Sequence, residues 1–344
     1  MTEKSPFAAY VACLKGSAIE VFIGDANAGT LDHVQTVDLR GKGLPLARSP
    51  DGKYLYASTF EEGDSGEQNW IETFAIHPET RRLNRIATTP VAARMAHIAT
   101  DRTGRFLFGA SFPSSMIAVY PIGDRGVVQD YPTDTMKTPF RAHQMLADYS
   151  NRFVTVPCML SHTVLNLTFD DRSGTLSENS PPATYRPNGA GPRHVAYHPN
   201  RRYAYLMNEM NGEVTAYRID AKTGGLVKIM SASYVSDDLD EAPWGAQIHV
   251  SPDGKRLFAA DRRGSTLAVF DIDTLGGQIS GRRLVQTGKN PRCHDITPNG
   301  HFLVLAALGD KQVELYDIRD ANKDPEKVLT LPTRDAPAWV EIVA

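Results

Sequence analysis

Short runs of alternating apolar and polar residues dominate the chain, whereas the 3.6-residue spacing of an amphipathic helix is nearly absent. The segments EVTAYRI (213–219) and TLAVFDI (266–272) combine this alternation with β-branched and aromatic side chains. Turn-forming Pro, Asp, Asn and Gly residues separate such runs along the whole sequence. The pattern predicts an all-β protein with little helix.

One phrase recurs along the chain: a turn of the Pro-Asp-Gly or Pro-Asn type, then a basic or polar residue, then an apolar strand. The copies are SPDGKYLYAST (49–59), TDRTGRFLFGAS (100–111), ADYSNRFVTVPC (147–158), YHPNRRYAYLMN (197–208), SPDGKRLFAAD (251–261) and TPNGHFLVLAA (297–307). The last turn residues of successive copies are 46 to 53 residues apart. This spacing fits one four-stranded blade and neither a leucine-rich nor a helical repeat.

The two ends of the chain supply a seventh unit. The segment AYVACLKGSAIEVFIGD (9–25) resembles the later strands of a unit, and PAWVEIVA (337–344) resembles a first strand. Closing the array in this way removes exposed sheet edges. We therefore expect a seven-bladed β-propeller that forms a single domain over residues 1–344, with the N- and C-terminal strands sharing one blade.

Composition and charge argue against nucleic acid and membranes as partners. The chain of 344 residues has a formal net charge of −3, so no basic surface favours nucleic acid. The three cysteines, Cys13, Cys158 and Cys293, are far apart in sequence, which indicates reduced thiols. No apolar run has the length of a signal peptide or of a membrane span. We expect a cytoplasmic monomer or weak homodimer with no membrane or nucleic-acid partner.

Strand register predicts where the charged residues of the units meet. Antiparallel pairing around each turn places residues eight before and eight after it at the blade end away from the turn. These positions hold His143, Arg193, Glu209, Arg262 and Arg292, while His97 and His194 lie seven before a turn and His249 five before. We expect these side chains to converge on one mouth of the central channel, where concave sites form.

Such a cluster suits the binding and hydrolysis of an anionic ester. Arginine clamps carboxylate or phosphate in a fixed orientation, and ester hydrolysis needs a base and a group that stabilises the oxyanion. His143 or Glu209 can be the base, and Arg193 and Arg262 can bind the oxyanion or a substrate carboxylate. The structural alternative is that Arg193 and Glu209 form an ordinary ion pair and that the histidines belong to the core.

Other chemistries lack their motifs in this sequence. It contains no GxSxG elbow, no GxxxxGK[ST] loop and no HExxH helix. One carboxylate among the clustered residues is a poor ligand set for calcium or magnesium, and the pair Cys158 and His162 more often belongs to a core or loop than to a metal site. We expect no metal and no cofactor.

Several segments resemble the propeller-type 6-phosphogluconolactonases over nearly the whole chain. These are GPRHVAYHPNRRYAYLMNEMNGEV (191–214), WGAQIHVSPDGKRLFAADRRGSTLAVF (244–270), NPR (290–292) and PAWVEIV (337–343). The same family includes the fungal carboxy-cis,cis-muconate cyclase. The resemblance implies catalytic roles for His143, Arg193, Glu209 and Arg262, and it matches His97, His249 and Arg292 to further family positions. We expect these three residues and His194 to bind the substrate.

The resemblance implies a lactonase that acts on 6-phosphogluconolactone or a related aldonolactone. An acidic insertion, FEEGDSGEQNW (60–70), lies on the expected active rim and would repel a phosphate dianion unless it points outward or is only a solvated loop. A sugar-acid or dicarboxylate lactone is therefore a substitute substrate. Two other functions remain open: a muconate-type lactonizing cycloisomerase, and a non-catalytic propeller that binds a protein partner.

Overall fold

The computed structural model describes residues 5–64 and 66–344, apart from the side chain of Leu44. Within these residues the regular structure is almost entirely β-strand, with two short 3₁₀ turns at Asp124–Gly126 and Met159–Ser161. The first strands are β1 Pro6–Cys13, β2 Ala18–Asp25, β3 Thr30–Asp38, β4 Lys42–Arg48, β5 Tyr54–Gly63, β6 Gly66–Ile76, β7 Leu83–Pro90, β8 His97–Thr100, β9 Phe106–Ser111, β10 Met116–Pro121, β11 Asp134–Lys137, β12 Leu146–Ala147, β13 Phe153–Cys158 and β14 Thr163–Asp170. The remaining strands are β15 Thr175–Tyr185, β16 Pro192–Tyr197, β17 Tyr203–Asn208, β18 Glu213–Ile219, β19 Leu226–Ser233, β20 Gly245–Val250, β21 Arg256–Asp261, β22 Thr266–Ile272, β23 Ile279–Gln286, β24 Pro291–Ile296, β25 Phe302–Ala307, β26 Gln312–Asp317, β27 Glu326–Pro332 and β28 Pro337–Val343.

The strands form seven four-stranded antiparallel sheets, which confirms the predicted seven-bladed β-propeller class. Six blades use four consecutive strands each: β4–β7, β8–β11, β12–β15, β16–β19, β20–β23 and β24–β27. The seventh has the order β28-β1-β2-β3, with Val11 opposite Val340. The N- and C-terminal strands therefore share one blade, as the sequence predicts.

The chain divides into two compact units. The first unit comprises the described residues up to Val37, together with His194–Ile219 and Leu226–Ala344, and carries the shared blade and the last three blades. The second unit comprises Asp38–Arg193 and Asp220–Gly225 and carries the blades β4–β7, β8–β11 and β12–β15.

The repeated turns have the backbone geometry that the sequence pattern requires. The last turn residue of every copy has a left-handed backbone, with φ of 68°, 72°, 62°, 66°, 75° and 72° at Gly52, Gly104, Asn151, Arg201, Gly254 and Gly300. Glycine adopts this conformation without a Cβ clash, and asparagine tolerates it better than most residues do. Arg201 departs from this preference, although its backbone N–H still donates to the carbonyl oxygen of His198 and closes the turn.

The apolar core of each unit lies between neighbouring blades. In the first unit Tyr205, Met207 and Leu257 belong to one buried cluster, and in the second unit Phe108 and Val156 belong to another. Strands near the start of a blade are buried along their length, as β25 is, whereas fourth strands such as β27 alternate between partly and fully exposed residues. This gradient follows from packing sheet against sheet, because only the outermost strand faces solvent on both sides.

In two blades the residue eight after the turn lies opposite the residue ten before it, so residues eight before and eight after the turn are not direct partners. The Arg262 N–H donates to the carbonyl oxygen of Trp244, and the Leu308 N–H donates to that of Asn290. A β-bulge in the first strand accounts for one residue of this offset: β24 shifts register between Pro291 and Cys293, so half-buried Arg292 is the extra residue. The other residue of the offset is present before the bulge, because Cys293, seven before the turn, lies opposite Ala306, six after it. Bulges re-aim side chains, and counting residues in the sequence does not reveal them.

Buried glutamates anchor the loops that lead into three first strands. Glu20 accepts the Arg334 N–H, Glu72 accepts the Arg40 N–H, and Glu314 accepts the Gly288 N–H, at 2.7, 2.9 and 3.1 Å. Each glutamate occupies the third strand of its own blade. A buried carboxylate is tolerated where donors satisfy it, so these contacts fix how the chain enters the blade.

We expect Glu314→Gln to lower the free energy of unfolding by about 2–3 kcal/mol. Glu314 is fully buried and also accepts hydrogen bonds from Gln312, Tyr316 and Lys327, and an amide nitrogen cannot replace a carboxylate oxygen as an acceptor. Urea denaturation measures the change. The control Glu326→Gln alters an exposed glutamate on β27 and should stay within about 0.5 kcal/mol of the parent; an equal loss in both variants would contradict the prediction.

Candidate active site

A buried ion pair joins two of the predicted catalytic residues in the first unit. Arg262 Nη2 lies 2.9 Å from Glu209 Oε2, and the two side chains are 4% and 12% exposed. The same guanidinium donates from Nε to the carbonyl oxygen of Trp244 and from Nη2 to that of Gly245, at 3.1 and 2.7 Å. Arg262 is therefore held rigidly, and it fixes the carboxylate of Glu209.

The backbone around Glu209 is fixed by the neighbouring strands. Glu209 follows β17, and its carbonyl oxygen accepts the Gly245 N–H at 3.2 Å and the Tyr234 hydroxyl at 3.3 Å. The Tyr234 hydroxyl also donates to the carbonyl oxygen of Asn208 at 3.0 Å. A Cβ at position 245 would overlap that hydroxyl, so only glycine allows this close approach.

Trp244 lies against Arg262 at the start of the same blade. The guanidinium of Arg262 lies 4.0 Å from the centre of the indole, and that of Arg263 lies 5.6 Å from it. The backbone N–H of Trp244 donates to the carboxylate of buried Asp261 at 3.0 Å, which fixes the backbone that carries the indole. Arg263 also pairs with Glu241 at 2.8 Å on the exposed side of this segment.

A row of histidine and glutamine side chains follows the first strands of the first unit. His194 Nδ1 is in close contact with Gln247 Oε1, and Gln247 Nε2 lies 3.4 Å from His249 Nε2. The rings of His249 and His294 meet edge to face with centroids 5.0 Å apart. His194 lies 6.2 Å, centroid to centroid, from the indole of Trp339. The structure thus brings two predicted substrate-binding residues, His194 and His249, into one polar row.

The second unit carries the other predicted residues. His97, at the start of β8, is buried, and its Nε2 lies 3.5 Å from Gln144 Nε2. Burial, and then the positive charge of Arg193, lower the pKa of His97 to about 3, so this imidazole is neutral at physiological pH. Arg193 itself is buried as the second residue of β16.

His143 precedes β12 and packs against an aromatic ring. Its ring centroid lies 5.6 Å from that of Phe112, and its backbone N–H donates to the carbonyl oxygen of Pro157 at 2.9 Å. The guanidinium of the nearby Arg141 lies 4.9 Å from the ring of Phe112 and 4.7 Å from that of Phe140. His143 thus lies beside a cation–π cluster that the sequence does not predict.

Sequence reasoning also misses Gln144, Gln247 and His294. The two glutamines lie seven residues before their turns, which is the register of His97 and His194. Extending the register comparison from charged residues to amides would have found them. Position 294 lies six residues before its turn, outside that register, so the same comparison would not have found it.

The acidic insertion forms the tip of a β-hairpin and is not an irregular loop. β5 and β6 pair as far as Gly63 and Gly66. Glu62 lies 3.3 Å from Lys42, and Glu67 lies 3.3 Å from Arg94. These cations offset part of the negative charge that the composition alone suggests, although such exposed pairs contribute little to stability.

The part of the chain that the structure describes contains no group of side chains suited to a metal ion and no exposed cysteine. Among residues 5–64 and 66–344, no three His, Cys, Asp or Glu side chains are grouped so as to hold a metal ion. All three cysteines are buried thiols, and burial raises the pKa of Cys13 and of Cys158 to about 12. The described residues also contain no helix with the length and apolarity that crossing a membrane requires.

We expect stability to fall as the pH drops below about 6.5, in part because His294 stays neutral in the folded state. Burial, and then the proximity of His249, hold the pKa of His294 well below its ordinary value of 6.5. Below pH 6.5 this imidazole binds a proton in the unfolded chain but not in the folded chain. This residue alone therefore lowers the free energy of unfolding by about 1.4 kcal/mol per pH unit. Urea midpoints between about pH 7.5 and about pH 5 should fall less steeply in His294→Gln; an unchanged slope would refute this assignment.

Comparisons with known proteins agree with this fold. The family model described as "Lactonase, 7-bladed beta-propeller" matches residues 8–342. The chain is 30% identical to a 6-phosphogluconolactonase of Pectobacterium carotovorum subsp. carotovorum (strain PC1), over 97% of this chain and 98% of that one. It is 32% identical to a 6-phosphogluconolactonase of Yersinia pestis (strain Pestoides F), over 97% of both chains.

A solved structure shows the same fold at lower identity. The periplasmic gluconolactonase of Pseudomonas aeruginosa superposes with a TM-score of 0.88 and 20% identity, over 99% of both chains. The family match spans nearly the whole sequence and includes both Glu209 and Arg262. The chain therefore belongs to the lactonase family of seven-bladed β-propellers.

Proposed function

We propose that the protein catalyses the metal-independent hydrolysis of a sugar-acid lactone, 6-phosphogluconolactone or a related aldonolactone, at one mouth of the propeller. The observation that carries the proposal is the buried contact of 2.9 Å between Glu209 and Arg262. A carboxylate fixed in this way is suited to accept a proton from water, and family membership supports lactone hydrolysis as the reaction class.

The reaction proceeds through a tetrahedral intermediate. Glu209 takes a proton from water while the water oxygen bonds to the lactone carbonyl carbon, whose oxygen becomes negatively charged. The carbonyl then re-forms as the ring C–O bond breaks, and the leaving alkoxide receives the proton that Glu209 took from water, directly or through His143, which yields the open-chain acid and restores the Glu209 carboxylate. Arg193 stabilises the oxyanion or binds a substrate carboxylate, Arg292 binds the substrate, and Arg262 holds Glu209 in place.

His143 is the second candidate for the base or for the acid that protonates the alkoxide. His97, His194 and His249 act as substrate-binding residues. The depressed pKa of His97 makes it a neutral hydrogen-bonding group, suited to sugar hydroxyls and not to an anion. The three buried thiols support a cytoplasmic location for this activity.

Proton release from a panel of lactones tests the proposal. The panel contains 6-phosphogluconolactone, glucono-1,5-lactone and a dicarboxylate lactone, each measured with a chelator present and against spontaneous hydrolysis. We expect saturable release above background for at least one sugar-acid lactone, unchanged by the chelator. Rates equal to background for every lactone would overturn the proposal, and consumption of a cis,cis-muconate instead would identify a cycloisomerase.

A further inference from the structure

In six blades the loop between the two middle strands ends in a residue with a left-handed backbone, with φ between 44° and 72°. These residues are Ser17, Ser115, His162, Gly212, Ser265 and Lys311. Glycine adopts this conformation at no steric cost, whereas serine and histidine do so against a penalty. Gly212 shows that the fold accepts glycine at this place. Serine and histidine in the other loops therefore have a reason beyond the turn itself.

Two of the serines hold the segment that leads into the next first strand. Ser115 Oγ accepts the Arg141 N–H at 3.1 Å, and Ser265 Oγ accepts the Asn290 N–H at 3.4 Å. Each of these N–H groups lies two residues before a predicted site residue. The two site residues are His143 and Arg292. Because Arg292 is the extra residue of the bulge in β24, its direction depends on the backbone on either side of it.

His162 makes the same connection with a larger side chain. The Gly191 N–H points at its Nδ1 and the Gly189 N–H points at its Nε2, each at 3.3 Å. A neutral imidazole has one bare nitrogen, so the ring accepts from one of the two N–H groups at a time. The His162 carbonyl oxygen also accepts the Arg186 N–H at 2.8 Å. His162 thus holds the chain two residues before Arg193, the second residue of β16.

Two corresponding loops end in residues that offer no acceptor side chain. Gly212 has no side chain, and Lys311 ends in a cation that donates but does not accept. Their carbonyl oxygens accept the N–H groups of Tyr234 and Thr333, which precede β20 and β28. The second residues of these two strands are Ala246 and Ala338. The acceptor side chain therefore accompanies a histidine or arginine in the segment that follows, and its loss accompanies an alanine.

We propose that Ser115, His162 and Ser265 are positioning residues for the active site. Each fixes the backbone two residues before a side chain that acts on the substrate, and none of the three needs to touch the substrate itself. This inference rests on the proposed function, because it assumes the roles given there to the residues being positioned. A shift of about 1 Å in a reacting group can cost about 100-fold in rate, so a single backbone hydrogen bond is enough to matter.

His162→Gly tests the proposal at Arg193. Glycine removes both ring nitrogens but keeps the left-handed backbone without strain, so we expect the variant to fold as the parent does. The released segment lets Arg193 move away from the oxyanion, and kcat for the best lactone of the panel should fall about tenfold. His162→Asn should restore kcat to within about threefold of the parent, because asparagine tolerates this backbone and places Oδ1 where the histidine has Nδ1.

Ser265→Gly should give a different kinetic result, which a merely structural role would not produce. Arg292 binds the substrate in the proposed mechanism, so release of the backbone at Asn290 should raise KM about fivefold while kcat stays within about twofold. The same pattern of kcat and KM in Ser265→Gly and His162→Gly would overturn the proposal, because a general loss of order would affect both variants alike.

Ser17→Gly is the matched control. Ser17 has the same left-handed backbone, with φ of 44°, and the blade that follows it in the chain, β4–β7, carries none of the predicted site residues. We expect parental kcat and KM. Amide hydrogen exchange across residues 186–193 should be faster than in the parent in His162→Gly and unchanged in Ser17→Gly.

The measurements distinguish failure of this proposal from failure of the proposed function. Parental kcat in His162→Gly, or exchange at the parental rate across residues 186–193, would overturn the positioning role while lactone hydrolysis stands. A parent protein that hydrolyses no lactone would overturn the proposed function, and the catalytic role of these three residues with it.

Discussion

Glu209→Gln is expected to lower kcat for lactone hydrolysis by about 100- to 10,000-fold, the usual contribution of a general base. Glutamine keeps the shape of the side chain and one oxygen that can face Arg262, which lies 2.9 Å from the carboxylate in the parent. It cannot take a proton from water, so the loss should appear in kcat and not in KM. Initial rates with the best lactone of the panel measure the effect.

Glu241→Gln is the matched control for this substitution. Glu241 also pairs with an arginine, Arg263 at 2.8 Å, but its side chain is 66% exposed. We expect its activity to stay within about twofold of the parent, as is usual for exposed ion pairs. If Glu209→Gln kept parental kcat while His143→Gln lost it, the base would be His143 and not Glu209.

Arg262→Leu is expected to reduce both activity and stability, the latter by about 3–5 kcal/mol. The substitution removes the Arg262 guanidinium from the buried Glu209 carboxylate, and it removes a side-chain donor from the carbonyl oxygens of Trp244 and Gly245. The midpoint of urea denaturation reports the stability, and initial rates report the activity.

The neighbouring arginine supplies the control. Arg263→Leu removes a guanidinium that lies near the same indole, but its ion pair with Glu241 is exposed, so we expect a loss under about 1 kcal/mol. The double variant Glu209→Leu with Arg262→Leu should be more stable than Arg262→Leu alone, because it removes both partners of this buried ion pair. Additive losses in the double variant would contradict the coupling.

The sequence predicts the architecture because the repeat signals are local. Turn residues such as Gly254 and Gly300 require a left-handed backbone, and their spacing identifies each blade before any tertiary contact is known. The pairing of Val11 with Val340 follows from the same reasoning, since the two end segments match complementary parts of one unit. These features depend on backbone conformation, which short sequence patterns encode well.

The candidate site is predicted less completely because it depends on side-chain geometry. The sequence selects Glu209 and Arg262 separately but does not predict that their side chains form a buried ion pair at 2.9 Å. The sequence does not single out Trp244, because its exposure and its stacking against a cation are tertiary properties. The sequence motif alone gives no sign of either.

The pairing of β28 with β1 has a consequence for how the protein is made. β1 can pair with its inner neighbour, β28, only after the six intervening blades have been synthesised. During most of translation β1 therefore has an unoccupied edge, which other chains can pair with. Completion of this blade is a late, long-range event, so we expect a truncation that removes Pro337–Val343 to yield aggregates during expression, even though the other blades keep all their strands.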